Sequence, residues 1–564
     1  MNKFLKNIAI SSLLILSLTG AAAAEIKALP LNSFFIEAEN KELKKSSAED
    51  NNYGYFPSSV DWDYLDKISV TEDSELRYSS TLPSRYDNRP RMTPVRNQNI
   101  DGPCWAHAAV TAAGASLMTK GILAPAAEAS ELSEWYLVYY AYRPFNGIPS
   151  FFTRASNFYN NGGNDWMAVA LLAKGAGAVL LSDAPTPSAG MRDSYVPPVM
   201  NRKFRLTAAH HLGLNYKKEV PIKLNNTFNY IKRAIIENGA VSAGINWQNG
   251  CTEPSTAAYY SNDTYIEKTN HGIALVGWDD SYPVTNFPEK RDYEGNITHH
   301  RPSRPGAWII KNSWGEESGD NGYYYVSYEE ESLCDGVAYV METAPANETI
   351  YQYDPLGCLT FLIANEIDGP VHIANMFVAK SNANQIDSVA FYTAVRNQTA
   401  DITIKTGNTS SPDTGKKALT QRVTLPKQGY NTVKLSSPVR ITPGEKFSVE
   451  VTYYGTGNGN IFIPVEGKYK ETYKNATSKR RQSWYAKHGM LYSDFYGEII
   501  SEIANMNFCI KAIDSTAQDT GEDPTPPPAP EPPIPFDEGG GGCSSGFAGI
   551  LTILLLPFVI KRKY

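Results

Sequence analysis

Cys104 opens the run Cys104-Trp105-Ala106, directly after Gly102-Pro103, and Gln98 lies a few residues upstream. A cysteine in the first turn of a helix sits at the positive end of the helix dipole. That position lowers the thiol pKa and favours the nucleophilic thiolate. The Gln98 amide and the Cys104 backbone N–H are candidate donors to an oxyanion. Such a nucleophile needs a base, and the base needs a third group to orient it. His271, in Asn270-His271-Gly272-Ile273-Ala274-Leu275-Val276-Gly277-Trp278, stands at the mouth of an apolar strand. Asn312, in Lys311-Asn312-Ser313-Trp314-Gly315, is the candidate orienting amide. Taken alone, a His in that setting reads more readily as a core imidazole. Together the three blocks point to acyl transfer through a thiolate.

The elements that must hold these groups follow from periodicity. Cys104 to Gly121 reads as a helix of small and apolar residues, and Asp165 to Gly175 as a second helix. Gly272 to Trp278, Trp308 to Ile310 and Gly322 to Ser327 read as buried strands. Residues 82–344 are therefore expected to be an α+β domain. From 345 to 514 the pattern changes to short period-two runs, such as SVAFYTAV, DITIKTG and KFSVEVTYY, punctuated by Gly, Asn, Pro and Asp. That spacing predicts an antiparallel β-sandwich.

The chain has 564 residues, 42% hydrophobic and 20% charged, so most of its length can fold around a core. Its formal charge of −7, with no long Lys/Arg block, gives no nucleic-acid face. Residues 1–24 carry Lys3, Lys6, an apolar Ile8–Leu18 stretch and Ala22-Ala23-Ala24, the pattern of a secretory signal peptide cut before Glu25. Residues 25–81 are polar and acidic, without a long amphipathic helix, and read as a short pro-segment. Residues 515–545 form a Pro/Gly-rich linker ending near Cys543. Residues 546–564 hold an apolar stretch to Ile560 and then Lys561-Arg562-Lys563, a marginal membrane span or sorting segment. The protein is expected to be secreted, or held at the cell surface or membrane by this tail. LPKQG, Leu425 to Gly429, has no apolar tail after it and is discounted as a sorting motif.

These residues resemble the papain-like (C1 family) cysteine peptidases. Val95-Arg96-Asn97-Gln98 with Cys104-Trp105-Ala106, the Asn270–Trp278 block and Lys311–Gly315 with Asn321-Gly322-Tyr323 match the family's motifs in order. The resemblance implies a two-lobed papain-like peptidase domain. It assigns Cys104 as nucleophile, His271 as base and acid, Asn312 as the group aligning His271, and Gln98 as part of the oxyanion hole. It makes Trp314 a shield over the Asn–His bond and part of the substrate surface. Asn161-Gly162-Gly163-Asn164-Asp165-Trp166 matches the family's cleft-lining loop, so Gly162 and Gly163 are implied to meet the substrate backbone. Protein or peptide substrates are implied, and no cofactor or metal.

The sequence departs from the family in places. Asp101 and Asn160 stand where its members often carry a disulfide, so that bridge is absent. Cys334 falls at a position where the family often has a late Cys, and Cys251 is its nearest candidate partner; the two either pair or stay thiols. Cys358 and Cys509 either pair or are buried thiols. His107 is expected in the core, and His299-His300 in a solvated loop rather than at a metal. The stretch from Tyr351 to Ala512 resembles the lectin-like sandwich of some bacterial surface enzymes, which implies a possible glycan or cell-wall ligand. Trp484, Tyr485 and Tyr492 are either sugar-stacking groups or core and rim residues. The tail is similar to Gly-rich, Cys-containing sorting signals, which implies a C-terminal processing enzyme as a partner. Two other functions stay open: a surface adhesin or wall-binding protein with an idle peptidase domain, and a transpeptidase.

Overall fold

A computed structural model describes residues 26–40, 54–69, 82–99, 101–152, 158–192, 194–198, 202–214, 221–261, 269–457, 459–487 and 489–516. The expected signal peptide, nearly all of the expected linker, and the apolar tail lie outside the described residues. Among the described residues no helix is long and apolar enough to cross a membrane.

The helix Cys104–Thr119 is buried on all sides over most of its length. Its alanines give it high helix propensity and let neighbouring elements pack close. It ends in a Schellman turn: Gly121 takes φ +69°, and Ile122 N–H donates to Leu117 O at 2.9 Å. The helix packs on the strand His271–Asp279 at a glycine. A Cβ on Gly272 would stand 3.1 Å from the Cys104 backbone, so a bare backbone at that point brings nucleophile and base together. That strand lies between Val241–Ile245 and Ala307–Lys311. The helix Asp165–Ala173 is capped by Asn164, whose side chain accepts from Met167 N–H at 3.0 Å.

The C-terminal half is all strand, as expected. Its outer sheet runs Lys416–Leu425, Gln398–Thr406, Lys446–Tyr453, Val371–Val378, Ser483–Lys487 and Ser493–Asp494. The facing strands Thr349–Tyr351, Ile510–Asp514, Gln385–Thr393 and Gly429–Arg440 close the core, where Phe391 meets Tyr453 edge-on at 6.0 Å. These facing strands do not stop at the end of the sandwich. Gly429–Asn431 pairs with Ala208–His210 of the strand Phe204–Leu212, so one sheet of thirteen strands runs through both halves of the chain.

The N-terminal arm, described over residues 26–40 and 54–69, touches both halves too. Lys27–Ala28 adds a strand to Thr360–Asn365. The helix Ser33–Asn40 brings Phe35 against Tyr469 and Tyr473, and its Glu39 carboxylate accepts from Glu471 N–H at 3.0 Å and from Thr472. The helix Trp62–Ser69 inserts Trp62 between Trp166 and His211, with stacked centroids at 4.6 and 4.9 Å. Asp66 accepts from Gln428 and lies 3.4 Å from His211 Nε2. The sequence shows no long helix here because neither helix is amphipathic over many turns; each is held by one or two buried aromatics.

The five described cysteines, Cys104, Cys251, Cys334, Cys358 and Cys509, are all buried thiols. The suggested Cys251–Cys334 pairing is therefore corrected: Cys334 Sγ meets Thr269 Oγ1 at 3.2 Å instead. Cys358 donates to Thr360 O at 3.2 Å. His299 ends the hairpin Lys290–Arg291/Ile297–His299 and is buried against Tyr260, and His300 beyond it is exposed. Among the described residues no group of His, Cys, Asp or Glu is arranged to hold a metal.

Candidate active site

Four of the residues singled out from the sequence meet at one place. His271 Nε2 and Asn312 Oδ1 are 2.7 Å apart. An amide oxygen can only accept, so Nε2 carries the proton and Nδ1 is the basic nitrogen. Asn312 is held in turn from both sides: its N–H donates to Gly322 O at 3.0 Å, and its Oδ1 also accepts Ser313 N–H at 2.8 Å. Trp314 lies flat on His271, with centroids 4.7 Å apart and planes 20° apart. Trp247 packs edge-on against Trp314 at 5.1 Å. Its backbone is tied to the residue before the base: Trp247 N–H donates to Asn270 Oδ1 at 2.8 Å, and Asn270 Nδ2 donates to Trp247 O at 3.0 Å. Trp247 had no local motif to mark it in the sequence.

Gln98 is pinned next to the same centre. Its N–H donates to Ser313 O at 2.8 Å, its Oε1 accepts Ser313 Oγ at 2.5 Å, and its Nε2 donates to Asp101 O at 2.7 Å. These bonds fix the Gln98 side chain beside the start of the Cys104 helix. Cys104 N–H, in the first helical turn, has no intrahelical acceptor.

Cys104 and His271 are fully buried. Burial pushes the Cys104 thiol up to about 12 and the His271 imidazole down to about 4. Both shifts work against the thiolate–imidazolium pair expected from the helix position. Desolvation outweighs the dipole because the cleft is covered. His107, on the same helix, is buried as expected and likewise pushed down to about 4 by burial.

The cover is the arm. Gly163 N–H donates to Gly54 O at 2.9 Å, and Phe56 N–H donates to Gly163 O at 3.2 Å, a parallel strand contact. Tyr55 N–H donates to Asn270 O at 3.3 Å, beside the base. The approach leaves no room for side chains. A Cβ on Gly162 would stand 2.5 Å from Gly54 O, and one on Gly163 2.4 Å from the Trp105 ring. Gly162 and Gly163 therefore lie where a peptide backbone passes, here the chain's own. Tyr55 drops into a pocket beyond them whose walls come from distant parts of the chain.

Residues 82–343 match the family model of the papain family cysteine protease, and residues 350–514 that of the lectin like domain. Bovine cathepsin S is 25% identical over 260 residues, covering 46% of this chain and 63% of its own length. Rat cathepsin J is 27% identical over 290 residues, covering 49% of this chain and 70% of its own. The chain thus spans about two thirds of these curated relatives. Two solved structures of a clostridial protein share the fold. One, of the cysteine protease and lectin-like domains of Cwp84, a surface layer associated protein of Clostridium difficile, aligns over 87% of this chain and 97% of its own, with a TM-score of 0.66 and 20% identity. The other, of the Cwp84 cysteine protease after propeptide cleavage, aligns over 76% and 99%, with a TM-score of 0.63 and 22% identity.

Proposed function

From a papain-family cysteine protease domain joined to a lectin-like domain, we propose that this chain is an exported cysteine endopeptidase, made as a zymogen and displayed at the cell surface. The observation that carries this reading is the peptide already in the cleft. Gly54 to Phe56 pairs with Gly163 and passes Asn270 next to the buried Cys104 and His271. A cleft that binds its own backbone in extended form can bind another's.

The roles follow from the geometry. With the arm gone, water reaches the cleft and both buried pKa values relax towards each other. His271 Nδ1 takes the Cys104 proton, and the sulfur attacks the scissile carbonyl. Cys104 N–H and the Gln98 side-chain amide are the donors to the oxyanion. As the intermediate collapses, His271 gives the proton to the leaving amine, and the acyl group stays on sulfur. A water, deprotonated by His271, then releases the acid and restores the thiol. Asn312 keeps the His271 ring from turning, and Trp314 and Trp247 keep water off the Asn312–His271 bond. With water as acceptor the reaction is hydrolysis; an amine acceptor would make it transpeptidation.

Residues 25–81 act as the pro-segment, removed by the enzyme itself near Leu82. Surface display rests on the signal-peptide pattern, the tail with Cys543, and the likeness to a surface layer associated protein. The lectin-like domain holds the arm and has a glycan or cell-wall polymer as its candidate ligand. The reading is tested by expressing residues 25–514 with and without Cys104→Ala. The unaltered chain is expected to trim near Leu82 and then cleave an unfolded protein, each cut adding the mass of one water. Equal trimming of the Cys104→Ala chain would end the self-processing claim, and products carrying an added amine would make it a transferase.

A further inference from the structure

Beyond Gly163 the Tyr55 side chain is buried, and its hydroxyl lies 3.3 Å from Asp165 Oδ2 and 3.4 Å from Asp335 Oδ2. Both carboxylates are buried. Asp165 also accepts Tyr339 Oη at 2.8 Å, and Asp335 accepts Ser58 N–H at 3.1 Å. The pocket wall against the ring is bare backbone. A Cβ on Gly244 would stand 2.7 Å from Tyr55 Cε1, and beside it are Thr269 Cγ2 and Cys334 Sγ. The site has the width of a flat ring and two acceptors at the depth of a para hydroxyl.

Tyr55 and Ser58 both belong to the arm. When the arm leaves, Asp165 loses the Tyr55 hydroxyl and keeps that of Tyr339, and Asp335 loses both Tyr55 and Ser58. Burial holds both acids above the usual carboxylate range, Asp165 at about 7. A ligand hydroxyl at the Tyr55 position would restore the hydrogen bonds that the pocket loses. The geometry points to a specificity pocket for tyrosine: the matured enzyme selects polypeptides with Tyr at the residue whose backbone lies along Gly163, read by Asp165 and Asp335. This inference rests on the peptidase reading above.

The test uses the matured full chain and a series of peptides that differ only at that residue, as Tyr, Phe, Leu or Arg. A site built to bond a hydroxyl rejects the analogue that lacks it, so kcat/KM for Tyr is expected to exceed that for Phe at least about tenfold. Asp335→Asn is expected to shrink the Tyr-to-Phe ratio, since the ratio reads the hydroxyl contact and is insensitive to how much enzyme is folded. Equal turnover of Tyr, Phe and Leu would overturn the inference, and so would a clear preference for Arg. Parallel labelling of Cys104 by an epoxysuccinyl inhibitor separates the two readings. Labelling with turnover but no Tyr preference removes only the pocket proposal, whereas no labelling and no turnover removes the peptidase reading.

Discussion

The Gly54 carbonyl accepts the Gly163 N–H at 2.9 Å, and this bond sets a glycine of the arm against a glycine of the cleft wall. Gly54 takes φ +102°, and a Cβ there would stand 2.0 Å from Gly102 O. The arm can lie this close to the nucleophile's loop only because neither side carries a side chain.

Gly54→Ala should therefore loosen the arm while leaving the enzyme beneath it intact. The left-handed conformation alone costs a residue with a Cβ roughly 1–2 kcal/mol, and the clash adds to it. Maturation of the full chain is expected to speed up about tenfold or more, followed as loss of the pro-form on gels. An unchanged rate would mean that Gly54 does not govern how the arm sits.

Gln98 is fixed by three hydrogen bonds to Ser313 and Asp101, which hold its amide beside the nucleophile's loop. Gln98→Ala should lower kcat by about 100- to 1,000-fold, the usual loss for one oxyanion donor, with a much smaller change in KM. A loss confined to KM would assign Gln98 to binding rather than to the intermediate.

His271 is buried and neutral, with its pKa depressed from 6.5 to about 4. A group with a depressed pKa of this kind binds its proton more readily when the protein opens. Its contribution is fully present above about pH 6.5 and is lost as pH falls through that value towards 4. Relative to His271→Gln, the closed pro-form should lose about 3 kcal/mol between pH 7.5 and pH 4. Urea midpoints of both proteins at the two pH values check this; parallel losses would show that His271 is not the titrating group.

The sheet that crosses from Gly429–Asn431 to Ala208–His210 makes the two halves one folding problem. A chain ending at residue 344 would keep Phe204–Leu212 paired with Cys334–Thr343 but bare its other side, and the arm would lose both Thr360–Asn365 and the Glu39 contacts with Glu471 and Thr472. Such a chain is expected to aggregate on expression, because an inner strand has become an exposed edge. A monodisperse 1–344 protein with native-like circular dichroism would contradict this.

Much of the site was legible because its chemistry is carried by short blocks. Cys104 at a helix start, His271 at a strand mouth and Asn312 after a strand each keep their meaning within a few residues, and Gly162-Gly163 precedes a helix cap. The helix Cys104–Thr119 and the strand His271–Asp279 were legible for the same reason. What was missed is tertiary. Trp247 joins the site only through packing on Trp314 and hydrogen bonds to Asn270. Asp165, Asp335 and Tyr55 are neighbours only in the folded chain. The pairing of residues 208–210 with 429–431 leaves no local trace, and Cys spacing does not encode the distance that keeps Cys251 from Cys334. The burial that opposes a thiolate at Cys104 is tertiary as well, and the dipole argument does not contain it.

The account's central claim is that Cys104 becomes an activated nucleophile once the arm is gone. The most direct test is intact mass after maturation of residues 25–514 and treatment with an epoxysuccinyl thiol inhibitor under mild reduction. One adduct, mapped to Cys104 and absent both before maturation and in His271→Ala, is the predicted result. No adduct in a folded, matured sample would contradict the account and leave the chain a surface binding protein with an idle cleft.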